Sequence, residues 1–243
     1  MTTSATLRSY NSTGLVIAMS VIGAWLAGLT FWLTHPVEGV ADIPWAIFAV
    51  ALQTFLSTGL FITAHDAMHG TVAPRNRSLN DLIGGLAVRL YALFSFSELR
   101  QHHGLHHAHP GESGQDPDFH DGTHRSFFGW YLGFMRRYLT WQQVVGMAVI
   151  FNLLVHVANL STINVVLFWV VPALASTFQL FYFGTYLPHR RPQSPDDPHH
   201  ARSSNFAPWL SLLTCYHFGY HREHHEHPEV PWWQLPTIRW EQP

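Results

Sequence analysis

The residues of this chain best suited to chemistry are its histidines. The stretch Arg100-Gln101-His102-His103-Gly104-Leu105-His106-His107-Ala108-His109 holds five of them in ten positions. His103, His106 and His107 stand at i, i+3 and i+4, and the same spacing recurs at His221, His224 and His225. A simpler i, i+4 pair, His65 and His69, lies upstream. On a helix these spacings put the imidazoles on one face. A lone histidine is ordinarily a hydrogen-bonded core residue or a surface residue. Crowded imidazoles repel once protonated and are stable together when a cation shares their lone pairs. Three patterned clusters in 243 residues therefore predict a metal centre.

His65, His69, His103, His106, His107, His221, His224 and His225 supply eight nitrogens, and His189, which directly follows an apolar run as His65 does, is the ninth candidate. So many nitrogens overfill one ion and suit two ions of five or six ligands. Two irons match best, with manganese or zinc behind them. Two divalent ions among neutral rings leave an excess of positive charge, which carboxylates accepting the other ring N–H would offset. Asp66, Asp116, Asp118, Glu223 and Glu226 lie beside the clusters. His102 is a further neighbour, and i, i+4 spacing would put His217 on the face of His221. His35, His156, His199 and His200 read as core or surface residues.

Other chemistries are excluded. Cys215 is the only cysteine, so no intrachain disulfide and no cysteine-ligated iron–sulfur cluster can form. No glycine-rich phosphate loop is present, so no bound nucleotide is expected and electrons must come from another protein. A formal net charge of −2 gives no nucleic-acid footprint.

The elements that must position the histidines are apolar. The charged fraction is 12%, about half the usual value. The stretch 1–12 reads as a polar tail. Residues 14–34 are uncharged and match the ~20 residues needed to cross a hydrocarbon layer; they exceed the apolar stretch of a signal peptide. A second run, 45–69, ends in the first histidine pair. Residues 141–187 form a third apolar block with a soft interruption at Asn159–Thr162, enough for two spans, 141–158 and 162–187. Leu82 to Phe96 is short and broken by Arg89, which predicts an interfacial or re-entrant helix. The arginines concentrate in 70–140 and 188–243, whereas the turns after the first and third spans carry none. By the positive-inside rule both basic segments and both termini face the cytoplasm. The chain therefore reads as an all-α integral membrane protein, a single domain of four spans with a cytoplasmic helical cap carrying a dimetal site.

The box HxxxH followed by two HxxHH boxes at membrane-helix ends resembles the integral-membrane fatty-acid desaturase and hydroxylase superfamily. The resemblance is closer to the bacterial β-carotene ketolases. It rests on His65-Asp-Ala-Met-His69-Gly70, on His102-His-Gly-Leu-His-His107 with Asp116-Pro-Asp-Phe119, on Phe183-Gly-Thr-Tyr-Leu-Pro-His189-Arg190, and on Phe218-Gly-Tyr-His-Arg-Glu-His-His-Glu-His-Pro228 continuing to Pro231-Trp-Trp-Gln-Leu-Pro236. It covers roughly residues 60–240.

Such a resemblance implies a non-haem diiron monooxygenase that uses O2 twice at the C4 methylene of a β-ionone ring. The second round gives a geminal diol that loses water to the ketone, taking β-carotene to echinenone and canthaxanthin, or to astaxanthin when C3 already carries a hydroxyl. It further implies a carotenoid drawn from the bilayer, a ferredoxin-like electron donor and a place in the bacterial inner membrane. A β-carotene 3-hydroxylase or a fatty-acid desaturase on the same scaffold is the alternative. Phe94, Phe96, Phe119, Tyr182, Tyr186, Phe218 and Tyr220 are candidates for an apolar substrate slot.

Overall fold

The computed structural model describes residues 3–191 and 197–241, with side chains over 13–191 and 197–238. It is helical, with no strand among the described residues. Three helices are long and apolar enough to cross a membrane: Thr13–Thr34, Val40–His69 and Thr162–His189. Val16, Met19, Phe31, Ile47, Phe48 and Leu174 on them are exposed. An apolar helix that leaves such side chains outside the core requires an apolar solvent.

Helix α1 (Thr3–Thr34) begins well ahead of Gly14, so most of the stretch read as a tail is helical; Met1 and Thr2 lie outside the described residues. Helix α2 (Ile43–His69) returns antiparallel to it. The two are tied by Trp25 Nε1, which donates to the Ser57 hydroxyl at 3.0 Å, and by Gln53 Nε2, which donates to the Trp25 carbonyl at 3.2 Å. Polar pairs of this kind join helices where apolar side chains gain nothing by leaving lipid. Gly70 ends α2 in the left-handed region, φ 82°, immediately after His69. That turn needs glycine and stops the helix one residue past the histidine pair.

Helix α3 (Arg77–Ala92) folds back on α2, and α4 (Phe96–Ala108) turns from it by 99°. The stretch 82–96, expected as an interfacial or re-entrant helix, is the second half of α3, which ends at Leu93, φ 58°, before α4 begins. Small residues make the seam: Asn80 Nδ2 donates to the Ala67 carbonyl at 2.7 Å, and a Cβ on Gly84 would lie 2.4 Å from the Phe96 ring and 2.7 Å from the Ala67 Cβ. Gly84→Ala is expected to destabilise the fold by about 1–3 kcal/mol, as over-packing does. A lowered thermal midpoint in detergent checks this; an unchanged one would mean the seam opens freely.

Helices α5 (Phe127–Tyr138) and α6 (Trp141–Asn152, extended by a π-type turn to Val157) meet at 84°. The expected third span, 141–158, therefore qualifies in length and composition only when α6 is taken with the bent α5. Helix α7 (Thr162–His189) carries Pro172 and Pro188 in its interior. A proline clashes with the carbonyl four residues earlier, here Phe168 and Gly184. Both fall in wider π-type turns, Val166–Val170 and Phe181–Tyr186, which relieve the clash without breaking the helix. Short helices α8 (Pro208–Cys215), α9 (His221–Glu226) and α10 (Leu235–Glu241) follow. Consecutive left-handed residues Tyr216 (φ 47°) and His217 (φ 61°) separate α8 from α9.

Candidate metal centre

Four helices deliver the imidazoles to one place. His65 and His69 stand on the last turns of α2, and His189 ends α7. His103, His106 and His107 come from α4, and His221, His224 and His225 from α9. Eight of these nine rings form two groups, His65, His69, His103 and His224 in one and His106, His189, His221 and His225 in the other. Within each group one nitrogen per ring lies within 4.8 Å of all the others. Each short helix serves both groups. On α4 the i position joins the first and i+3 the second; on α9 the i and i+4 positions join the second and i+3 the first.

His107 completes the picture from between the groups. Its Nε2 is 3.1 Å from His103 Nε2 and 3.0 Å from His224 Nε2, while its ring stacks on His225 at 4.3 Å. His69 and His103 meet at 2.7 Å, His189 and His221 at 2.9 Å, and His225 meets His106 at 3.1 Å and His221 at 3.0 Å, each through Nε2. His103, His107, His221 and His225 thus each face two other imidazole nitrogens.

A neutral ring carries one N–H, so hydrogen bonding cannot satisfy such convergence. Two rings have committed that proton elsewhere: His106 Nδ1 donates to Asp116 at 2.9 Å and His189 Nδ1 to the His200 carbonyl at 3.0 Å. Their Nε2 atoms are left as lone pairs aimed inward. Burial, followed by repulsion from neighbouring rings, holds His221, His224 and His225 far below the usual histidine range. These three rings are therefore unprotonated at neutral pH, and the all-nitrogen donor set fits cations.

Surrounding groups divide sharply. Asp116 is saturated: besides His106, it accepts the Gly111 and Asp118 backbone N–H groups, each at 2.8 Å. Burial opposes its charge, yet the His106 contact and these N–H donors keep its pKa below the usual carboxylate value. Asp118 lies 3.9 Å from His106 Nδ1 and accepts the Tyr138 hydroxyl. Burial, with Asp116 nearby, raises its pKa.

The other neighbours stand further off. Asp66 is 3.7 Å from His65 Nδ1, beyond hydrogen-bond reach, and accepts the Trp232 backbone N–H at 3.3 Å instead. Glu223 accepts the Ser203 hydroxyl, and Glu226 pairs with Arg222 at 2.8 Å. His102 packs against Tyr138 and belongs to neither group. His217 also stands outside both, against Tyr220 and Trp232. The i, i+4 expectation for it assumed one continuous helix, and the left-handed turn at Tyr216 and His217 breaks it.

A largely apolar cavity reaches both groups, with His65 and His103 of the first and His106 and His221 of the second in its wall. Its other walls include Phe61, Met68, Tyr91, Phe94, Leu99, Phe134, Met135, Leu180, Gly184 and Phe218. Of the aromatic residues expected to form a slot, Phe94 and Phe218 line it. Phe96 fills the Gly84 seam, Phe119 packs on Trp130, Tyr182 and Tyr186 pack on Phe127, and the Tyr220 hydroxyl donates to the Phe206 carbonyl. Phe134, Met135 and Tyr138 went unnoticed because α5 is far in sequence from any histidine box.

Comparison with known proteins gives the same scaffold. The fatty acid desaturase family model matches residues 43–148 and 134–242. A β-carotene ketolase of Paracoccus sp. (strain PC1) is 44% identical, the alignment covering 93% of this chain and 91% of the relative. The chain belongs to the fatty acid desaturase family, among its β-carotene ketolases. A β-carotene 4-ketolase of Haematococcus lacustris is 40% identical over 93% of this chain and 78% of its own length. A zeaxanthin 4-ketolase of Chlamydomonas reinhardtii is 42% identical over 93% of this chain, which spans 53% of that relative.

Proposed function

We propose that this chain is a membrane-bound oxidoreductase that converts the C4 methylene of a β-ionone ring to a ketone, taking β-carotene to echinenone and canthaxanthin. Two groups of imidazoles, six of the eight rings buried, on the wall of an apolar cavity in a chain related to ketolases at 40–44% identity carry this reading. His65, His69, His103 and His224 would hold one iron, and His106, His189, His221 and His225 the other, with His107 between them. Bound iron would supply the activation of O2 and the removal of hydrogen from the allylic C4 methylene.

The chain's own residues do the rest. Asp116 fixes the ring plane and tautomer of His106, and the His200 carbonyl does the same for His189. The apolar wall excludes water and takes a hydrocarbon substrate sideways from the bilayer, leaving depth in the slot to place C4 nearest the metals. The histidine-bearing ends of α2 and α7 face the cytoplasm in this reading, where a ferredoxin-like protein supplies electrons. Four crossings, with α5 and α6 as the third, bring both termini to that side.

Iron analysis and pigment chromatography of one purified membrane preparation test the proposal together. About two irons per chain and conjugated ketones from β-carotene are expected. Hydroxylated products, which hardly alter the absorption, would assign the chain to ring hydroxylation instead.

A further inference from the structure

The cavity holds one carboxylate, and it sits at the reacting end. Asp118 lines the wall beside His106, 3.9 Å from its Nδ1. Tyr138, also in the wall, donates its hydroxyl to Oδ1. The proton of His106 Nδ1 goes to Asp116, so it does not serve Asp118. Oδ2 accepts no hydrogen bond from the described residues. A carboxylate oxygen facing an apolar slot without a donor is costly, and β-carotene, a pure hydrocarbon, brings none.

We propose that Asp118, oriented by Tyr138, is the acceptor for a hydroxyl at C3 of the substrate ring, and that this pair sets the preference for hydroxylated over unsubstituted rings. The inference rests on the ketolase reading above. C3 is bonded to C4, so when C4 lies against the metal groups a C3 hydroxyl lies a few ångströms from His106. Asp118 lines the same cavity wall as His106. The hydroxyl donates to Oδ2, completing a carboxylate whose other oxygen is already bonded. An unsubstituted ring enters the same slot and leaves Oδ2 unmet. Relatives named for zeaxanthin, whose rings carry that hydroxyl, and for β-carotene both align over most of this chain.

The test feeds zeaxanthin and β-carotene in equal amounts to the same membranes and follows ketone formation from each. Their ratio is independent of how much protein folds or binds iron. Asp118→Asn keeps the shape and an acceptor for Tyr138 but replaces the charged oxygen. It is expected to lower the zeaxanthin-to-β-carotene ratio of kcat/KM about tenfold, the loss for a hydrogen bond to a charged group, mostly through KM. Tyr138→Phe is expected to lower the same ratio about threefold. Equal loss on both substrates, or an unmoved ratio in Tyr138→Phe where Asp118→Asn is inactive, overturns the inference. Absence of ketone from β-carotene in the unaltered protein would instead overturn the ketolase reading.

Discussion

Alanine in place of His106 or His225 is expected to abolish ketone formation, with a fall of more than about 100-fold, beyond the 10- to 100-fold cost of losing a mere supporting contact. Each ring belongs to the buried group of four that also includes His189 and His221. Removing one leaves three nitrogens, and the neighbouring carboxylates Asp116 and Glu223 are already engaged, by His106 with two backbone N–H groups and by Ser203. The same result is expected at His65, His69, His103, His107, His221 and His224. His217→Gln is the contrast, expected to keep its iron because that ring stands apart from both groups. Product chromatography with iron measured on the same sample decides the matter; several histidine variants retaining more than a few per cent of activity would overturn the ligand set.

Asp116→Ala should produce the next largest effect, a 10- to 100-fold weaker hold on iron, the usual loss when the partner of a metal-bound imidazole is removed. Among the described residues the carboxylate is the only hydrogen-bond partner of His106 Nδ1, and it also gathers the Gly111 and Asp118 backbone N–H groups, so the loop 109–118 is folded around it. Without it the ring is free to rotate or to carry its proton on Nε2, the nitrogen turned to the metal group. Titrating the iron-free protein with ferrous ion and reading occupancy measures the shift. Affinity equal to that of the unaltered protein would show that packing alone orients His106. Asp66→Ala, by contrast, should leave iron affinity nearly unchanged, because Asp66 bonds the Trp232 backbone rather than His65.

Much of the site was legible because its signals are local. Histidines at i, i+3 and i+4 need no tertiary information to declare a ligating helix face, and Gly70 after His69 announces the end of α2. Apolar runs of membrane length depend only on composition, and α1, α2 and α7 appear where the runs stand. The side-chain carboxylate that partners His106 was one of five flanking candidates, indistinguishable by proximity along the chain.

The remainder is decided by how helices cross. No periodicity reveals that α4 and α9 straddle two groups, so the partition of rings between them exists only once four helix ends meet. The bend between α3 and α4 comes at one left-handed residue, Leu93, which no residue type announces. His217 left the face of His221 for the same reason, since two left-handed residues outweigh a spacing that presumes unbroken helix. The cavity wall is assembled from α2, α3, α4, α5, α7, the loop that carries Asp118, and α9 with the turn before it. Residue types and their spacing declared the metal chemistry and the apolar surroundings. Only long-range packing set which nitrogen faces which, and brought Asp118 and Tyr138 to the slot, because these contacts join segments with no local signal in common.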